Sequence, residues 1–233
     1  MSLRDIITAV RERRRTLVVY DPAPDQLVEQ LREYAAPYPL TVERRTADES
    51  LSGHVELTDS DGGFVRTDCS GLPTPLTTEA FEEQFRDVLS RIDRTTFSSY
   101  DGTQMAATSR EIEDRAWRYG RGSLHAGFQR ASTLGTQERV YSDLASKDLD
   151  IHAYAVPDRD APRPDGVTVH LVDDDEIAAT WFVVYDGAGD DESKCALLAE
   201  ERDPGVFRGF WTYDPDVVDS VLSHLSTRYA SST

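Results

Sequence analysis

The chain has 233 residues, enough to bury one large core or two small ones, and carries 43 acidic against 25 basic side chains for a formal net charge of −18. That charge repels nucleic-acid phosphates and anionic lipid headgroups, so direct DNA binding and membrane-surface binding are disfavoured. Lys147 and Lys194 are the only lysines, and an acidic, arginine-based surface suits a protein working in molar salt, where screening removes most self-repulsion; a halophilic cytoplasm is the expected setting.

In chain order, Leu3, Ile6, Ile7 and Val10 recur at helical spacing and predict an opening amphipathic helix. The one basic run, residues 11–15, contains Glu12 and is placed on that helix. Residues 17–20 read as a short buried strand. Asp21-Pro22-Ala23-Pro24-Asp25 breaks the chain and starts a helix with Leu27, Leu31, Tyr34 and Ala35 inward, stopped by Pro37 and Pro39. Residues 40–44 supply the next strand, so strand, helix and strand form a βαβ unit with parallel strands. Residues 54–58 and 64–67 flank Asp61-Gly62-Gly63 as a hairpin. A loop over 68–77 leads to a helix with Phe81, Phe85, Val88, Leu89 and Ile92 on its apolar stripe.

Residues 95–102 read as a linker. A helix over 103–119 follows, with Met105, Ser109, Ile112 and Ala116 inward, ending at Gly120. Its outer face pairs Glu111 with Arg115 and Asp114 with Arg118 at i, i+4, surface support worth about 0.3–0.5 kcal/mol per pair. Residues 123–130, SLHAGFQR, and 137–145 read as further helical pieces, and 151–156 and 167–172 as strands. The stretch 181–214 organises the second half: apolar runs 181–185 and 195–199 read as strands buried on both faces, and 206–213 as a third, aromatic on alternate residues. Together they make an antiparallel meander holding Trp181 and Trp211. Asp214-Pro215 then caps a final helix with Val217, Val218, Val221, Leu222 and Leu225 inward. The expected fold class is mixed α/β: a βαβ-containing unit over 1–95, then a domain over 96–233 with a helical segment and a largely antiparallel sheet closed by the C-terminal helix.

Chemistry-bearing motifs are sparse. There is no GxxxxGK[ST], and the glycines of GRGSLHAG miss the GxGxxG spacing, so a standard phosphate loop is set aside. The histidines His54, His125, His152, His170 and His224 form no HxH or HxxxH pair. Asp173-Asp174-Asp175-Glu176 reads as a solvated face. Asp186, Asp190 and Asp191 lack the spacing of a calcium loop, although a divalent-ion enzyme built on Asp186 and Asp190 stands as one competing reading. Residues 187–193 are expected to form a mobile loop, because Gly187 and Gly189 interrupt strand propensity among unneutralised acids. Cys69 and Cys195 have neither metal nor redox spacing, which points to free thiols in a reducing compartment. No apolar signal core opens the chain and no run reaches a membrane span of about 18 residues, so a cytoplasmic, non-catalytic protein without a metal site is expected.

Four segments in register carry a family resemblance: FSSYDGTQMAATSREIEDRAWR at 97–118, LHAGFQ at 124–129, WFVVYDGAGD with KCALLAEE over 181–201, and GFWTYDP at 209–215. Together they resemble the DICT sensory domain, found alongside diguanylate cyclases and two-component proteins. The resemblance implies a sensory module, usually fused to an output domain and linked to light responses. No output domain is legible in this sequence, so the expectation is a stand-alone sensor that binds a small ligand and signals in trans to a partner protein. An interaction module without a ligand is the alternative.

The family resemblance supplies no ligand-binding residues, so the expected site rests on residue chemistry. Trp117, His125, Phe128, Gln129, Trp211 and Tyr213 are expected to line one pocket between the helical region and the sheet, with Arg110 or Arg115 available for an anionic group. Phe207, Gly209, Trp211 and Tyr213 share one face by strand alternation, and Gly209 leaves room there for a ligand or another backbone.

Overall fold

The computed structural model describes residues 1–12, 15–35, 40–46, 51–58, 64–69, 72, 77–86, 88, 96–158 and 162–229. Helix α1 (Leu3–Glu12) opens the chain, which divides into two compact units, Arg11–Thr95 and Met1–Val10 with Thr96–Thr233. The first ten residues thus belong with the larger unit rather than with residues 11–95. The expected basic helical run is divided: Arg11 and Glu12 end α1, Arg15 opens a strand, and Arg13 and Arg14 lie outside the described residues.

In the smaller unit, β1 (Arg15–Asp21), α2 (Asp25–Ala35) and β2 (Leu40–Thr46) form the βαβ, with β1 and β2 parallel in register from Arg15↔Leu40 to Asp21↔Thr46. Strands β3 (His54–Thr58) and β4 (Phe64–Asp68) pair antiparallel, and β3 joins β1, giving the order β2-β1-β3-β4. The turn expected at 61–63 lies outside the described residues. Helix α3 (Thr78–Gln84) is capped by the Thr77 hydroxyl, which accepts from the Ala80 N–H. Its Phe81, with Phe85 and Val88 just beyond it, joins Leu17, Val19, Leu27, Leu31, Val55 and Leu57 in one core; Leu89 and Ile92 lie outside the described residues.

The larger unit corrects two expectations. The linker expected over 95–102 is largely strand β5 (Thr96–Asp101), which pairs with a later strand and whose last residue caps the next helix. The helical piece expected over 123–130 is β6 (Arg121–Arg130), a strand in the interior of the sheet. The remaining elements are α4 (Gly102–Tyr119), α5 (Ala131–Leu144), β7 (Asp148–Val156), β8 (Val167–Leu171), α6 (Asp175–Ala179), β9 (Thr180–Tyr185), β10 (Cys195–Asp203), β11 (Val206–Thr212) and α7 (Pro215–Tyr229). The seven strands run in the order β5-β11-β10-β9-β6-β7-β8. The meander β9-β10-β11 is antiparallel, and so are β5 on β11 and β6 on β9, while β6, β7 and β8 are mutually parallel.

Strand alternation sends side chains into two cores, one on each face of this sheet. Val183 and Tyr185 of β9, with Cys195, Leu197 and Ala199 of β10, meet Met105, Ile112 and Ala116 of α4 and Tyr141 and Leu144 of α5. Phe182 and Val184, with Ala196 and Leu198, meet α1, α6 and α7 through Leu3, Ile6, Ile7, Ile177, Val217, Val218, Val221 and Leu225. Burial on both faces explains the unbroken apolar runs read from the sequence.

The acidic run at 173–176 is not simply a solvated face. Asp174 caps α6 and pairs with Arg228 at 2.8 Å. Glu176 is drawn inside, where it accepts from the Leu3 N–H and the Tyr229 hydroxyl and meets His224 Nε2, each at 2.7 Å. The loop expected to be mobile at 187–193 is two 3-10 turns, with Asp186 accepting from the Ala188 N–H and Asp190 from the Glu192 N–H. Ser193 links Asp190 to the Tyr119 hydroxyl, and Lys194 pairs with Asp191 and Asp219, both at 2.8 Å.

Candidate functional site

Helix α4 begins at a capping box: the Asp101 carboxylate accepts from the Gln104 N–H at 2.9 Å, and the Gln104 side chain accepts from the Asp101 N–H at 3.0 Å. It ends at Gly120, whose φ of 64° lies in the left-handed region that glycine adopts without strain. Ala106, Ser109, Arg110, Glu113, Asp114 and Trp117 form one stripe along it. Thr133, Gln137, Val140, Tyr141 and Leu144 form a matching stripe on α5. The two stripes stand over Ala126, Gly127 and Phe128 of β6 and Trp181, Phe182 and Val183 of β9, enclosing a cavity of about 590 Å³. That lies within the roughly 300–1,000 Å³ of small-molecule sites.

The floor between the helices is apolar and fixed by specific contacts. Trp181 donates from Nε1 to Ser109 Oγ at 3.0 Å and packs edge-on against Phe207. Phe128 stands edge-on to Tyr141, with ring centroids 5.0 Å apart. Tyr141 is fully buried and donates from its hydroxyl to Glu113 Oε1 at 2.6 Å. Burial raises the Glu113 carboxyl above its ordinary pKa, opposed by this hydrogen bond and by the nearby Arg110 charge. At the mouth, Trp117 is 47% and Val140 43% exposed, and the Lys147 ammonium lies 4.2 Å from the Trp117 ring centroid.

The single pocket expected from the sequence divides. Arg110, Trp117 and Phe128 come together on this cavity. His125 does not: its strand neighbours Leu124 and Ala126 enter the core beneath α4 and α5, which sends its own ring to the other face. There it stacks on His152 at 4.6 Å and meets the Tyr154 hydroxyl at 3.0 Å. Gln129, at a left-handed φ of 59° where β6 bulges, donates to Ala178 O and Glu201 Oε2. Trp211 and Tyr213 pack edge-on to each other, and Arg115 lies over the Tyr213 ring at 4.7 Å rather than toward the cavity. The space left by Gly209 is filled by backbone, since a Cβ there would overlap Ala199 of β10.

Glu113, Tyr141 and Trp181 were not anticipated as site residues. The signal for Glu113 was present, because it follows Ala106 and Arg110 and precedes Trp117 at helical spacing, but an outward charge ladder on the same helix competed with it. Nothing local marks Tyr141 or Trp181, since both are placed by the sheet and by the angle between two helices. Among the described residues no group of three or more His, Cys, Asp or Glu side chains is placed to hold a metal ion. Both thiols are buried and pushed up to about 12 by desolvation. No described helix is long and apolar enough to cross a membrane.

A family model described as "Sensory domain in DIguanylate Cyclases and Two-component system" matches residues 83–202. The chain belongs to the DICT family. Every residue lining the cavity falls inside the matched segment of this DICT chain, whereas β11 and α7 lie beyond it. No curated protein matches. Among solved structures, a polyphosphate kinase from Porphyromonas gingivalis aligns at 9% identity and a TM-score of 0.38, over 95% of this chain and 47% of that one. The DICT chain thus spans about half the length of that kinase, and a likeness this loose says nothing of activity.

Proposed function

We propose that this DICT chain senses a small molecule in the cavity between α4 and α5 and transmits its occupancy to a partner protein in trans. The observation that carries this reading is the cavity's construction. Two helices are held apart over the sheet, and the gap has aromatic walls, a fixed indole and polar groups converging from both helices, as small-molecule sites do. A ligand that draws α4 and α5 together changes the surface bearing Trp117 and Val140, which gives a partner something to read. The family's sensory character favours this over the divalent-ion enzyme considered on Asp186 and Asp190, whose carboxylates hold the 186–194 turns together.

The test is mass spectrometry of small molecules released on denaturing the protein purified from its own cells. Wild type is expected to release a stoichiometric compound. Ala106→Trp, which fills the cavity from α4, should release none while keeping its melting temperature within a few degrees. Equal release by both proteins would place the ligand elsewhere.

A further inference from the structure

The polar groups on the cavity wall differ in what they still need. Ser109 is satisfied, since its hydroxyl donates to Met105 O at 2.9 Å and accepts from Trp181 Nε1 at 3.0 Å. Glu113 is not: Tyr141 holds Oε1, and Oε2 has no hydrogen-bond partner among the described residues. Gln137, one turn before Tyr141 on the facing helix, makes only a 3.4 Å contact from Nε2 to Thr136 Oγ1, leaving its carbonyl open. Neither acceptor is sealed from solvent, so a ligand that displaces water from this wall keeps its affinity only if it brings N–H groups to them.

The charge balance points the same way. Glu113, Asp114 and Asp143 line the cavity against one guanidinium, that of Arg110, which is exposed. A phosphate or carboxylate entering here would meet three acids against the Arg110 guanidinium and the Lys147 ammonium at the mouth, a net negative balance that favours a neutral or cationic molecule. The apolar surface is largely aromatic, with Trp181, Phe128 and Trp117 around the space, which suits a flat ring.

We infer that, if the cavity is the sensory site, it takes a planar amino-substituted nitrogen heterocycle, neutral or positively charged, whose amino group donates to Glu113 while its ring packs against Trp181 and Phe128. The edge of such a molecule, a ring nitrogen beside an exocyclic amino group, matches a carboxyl group in two-point pairing. A protonated Glu113 donates to the ring nitrogen and accepts from the amino group, and an ionised one holds the protonated heterocycle by charge-assisted bonds. Burial raises the Glu113 carboxyl above its ordinary pKa, against the Tyr141 hydrogen bond and the Arg110 charge, and the two-point geometry serves either protonation state.

The probe is 2-aminopurine, whose fluorescence is quenched on stacking, compared with purine, which lacks the amino group. The neutral dye N-phenyl-1-naphthylamine reports the cavity independently of Glu113. Full-length protein should quench 2-aminopurine saturably with a midpoint below about 1 mM and bind purine at least about tenfold more weakly. Glu113→Leu should lose the 2-aminopurine preference while retaining the dye, and Ala106→Trp should lose both. Equal affinity for the two purines in wild type, no saturable quenching, or 2-aminopurine binding unchanged in Glu113→Leu would overturn the ligand class while leaving the cavity reading in place. Dye binding that survives Ala106→Trp would remove the cavity reading and the class with it. The wild-type comparison of the two purines decides the class even if Glu113→Leu does not fold.

Discussion

Acidification should destabilise this protein through the imidazoles on the sheet face opposite the cavity. His125 on β6, His152 on β7 and His170 on β8 stack across three adjacent strands, with Tyr154 against both His125 and His170. Burial first, then the neighbouring His152, depress His125 to about 4; Asp150 and Asp186 pull the other way, and His170 adds to the depression. The folded state therefore holds His125 neutral, while the unfolded chain takes up a proton below about 6.5. Stability from this group is complete above about pH 6.5 and is lost as pH falls toward about 4. A depression from 6.5 to about 4 corresponds to about 3 kcal/mol, and the ring's partial exposure brings the expected effect to about 2–3 kcal/mol. Carboxylates titrate over the same range, so urea melts at about pH 7.5 and 4.5 should be run on wild type and His125→Asn together. Wild type should lose about 2–3 kcal/mol more than the variant across that interval. Equal losses, or a larger loss in the variant, would refute the buried neutral imidazole.

Gly127→Ala should cost about 2–3 kcal/mol and lower the melting temperature by roughly 5–10 °C, because the added Cβ would lie 2.5 Å from Cδ1 and 2.7 Å from Cζ of the fully buried Phe182; an unchanged melt would mean that β6 and β9 are not in this register. Glu176→Ala should cost about 2–4 kcal/mol in chemical denaturation, since it strips the Leu3 N–H, the Tyr229 hydroxyl and His224 of their shared acceptor. Asp175→Ala on the same short helix should stay within about 0.5 kcal/mol, and similar costs for the two would contradict the inward placement of Glu176. Thermal melts in dilute buffer and in molar KCl should differ strongly, given 43 carboxylic side chains against 25 basic ones; a midpoint indifferent to salt would remove the halophilic setting.

What could be read from the sequence is what local periodicity encodes. Met105, Ser109, Ile112 and Ala116 identify the inward face of α4, and Gly120 its end, because a helix buried on one side writes that side at every third or fourth residue. The meander was legible from two unbroken apolar runs separated by turn residues, and α7 from Asp214-Pro215. Strand β6 was not. Its inward residues, Leu124, Ala126 and Phe128, alternate correctly, but Gly122 and Gly127 dilute the pattern, and Gly127 is there to admit Phe182 from a strand more than fifty residues away. That misreading set His125 and Gln129 beside Phe128 in the expected pocket. In a helix His125, Phe128 and Gln129 share a face, whereas in a strand Phe128 faces the cavity and His125 the opposite core. The cavity itself depends on two helices standing apart, a long-range property with no local signature.

The claim that the space between α4 and α5 is the sensory site is tested most directly by hydrogen–deuterium exchange on protein bearing its co-purified ligand and on the same protein stripped of it. Ligand should slow exchange in residues 102–119 and 131–144 and in the β6 segment beneath them, because amides flanking a filled cavity open less often. Protection confined to β7, β8 and the imidazole-bearing face, or none at all in α4 and α5, would contradict it.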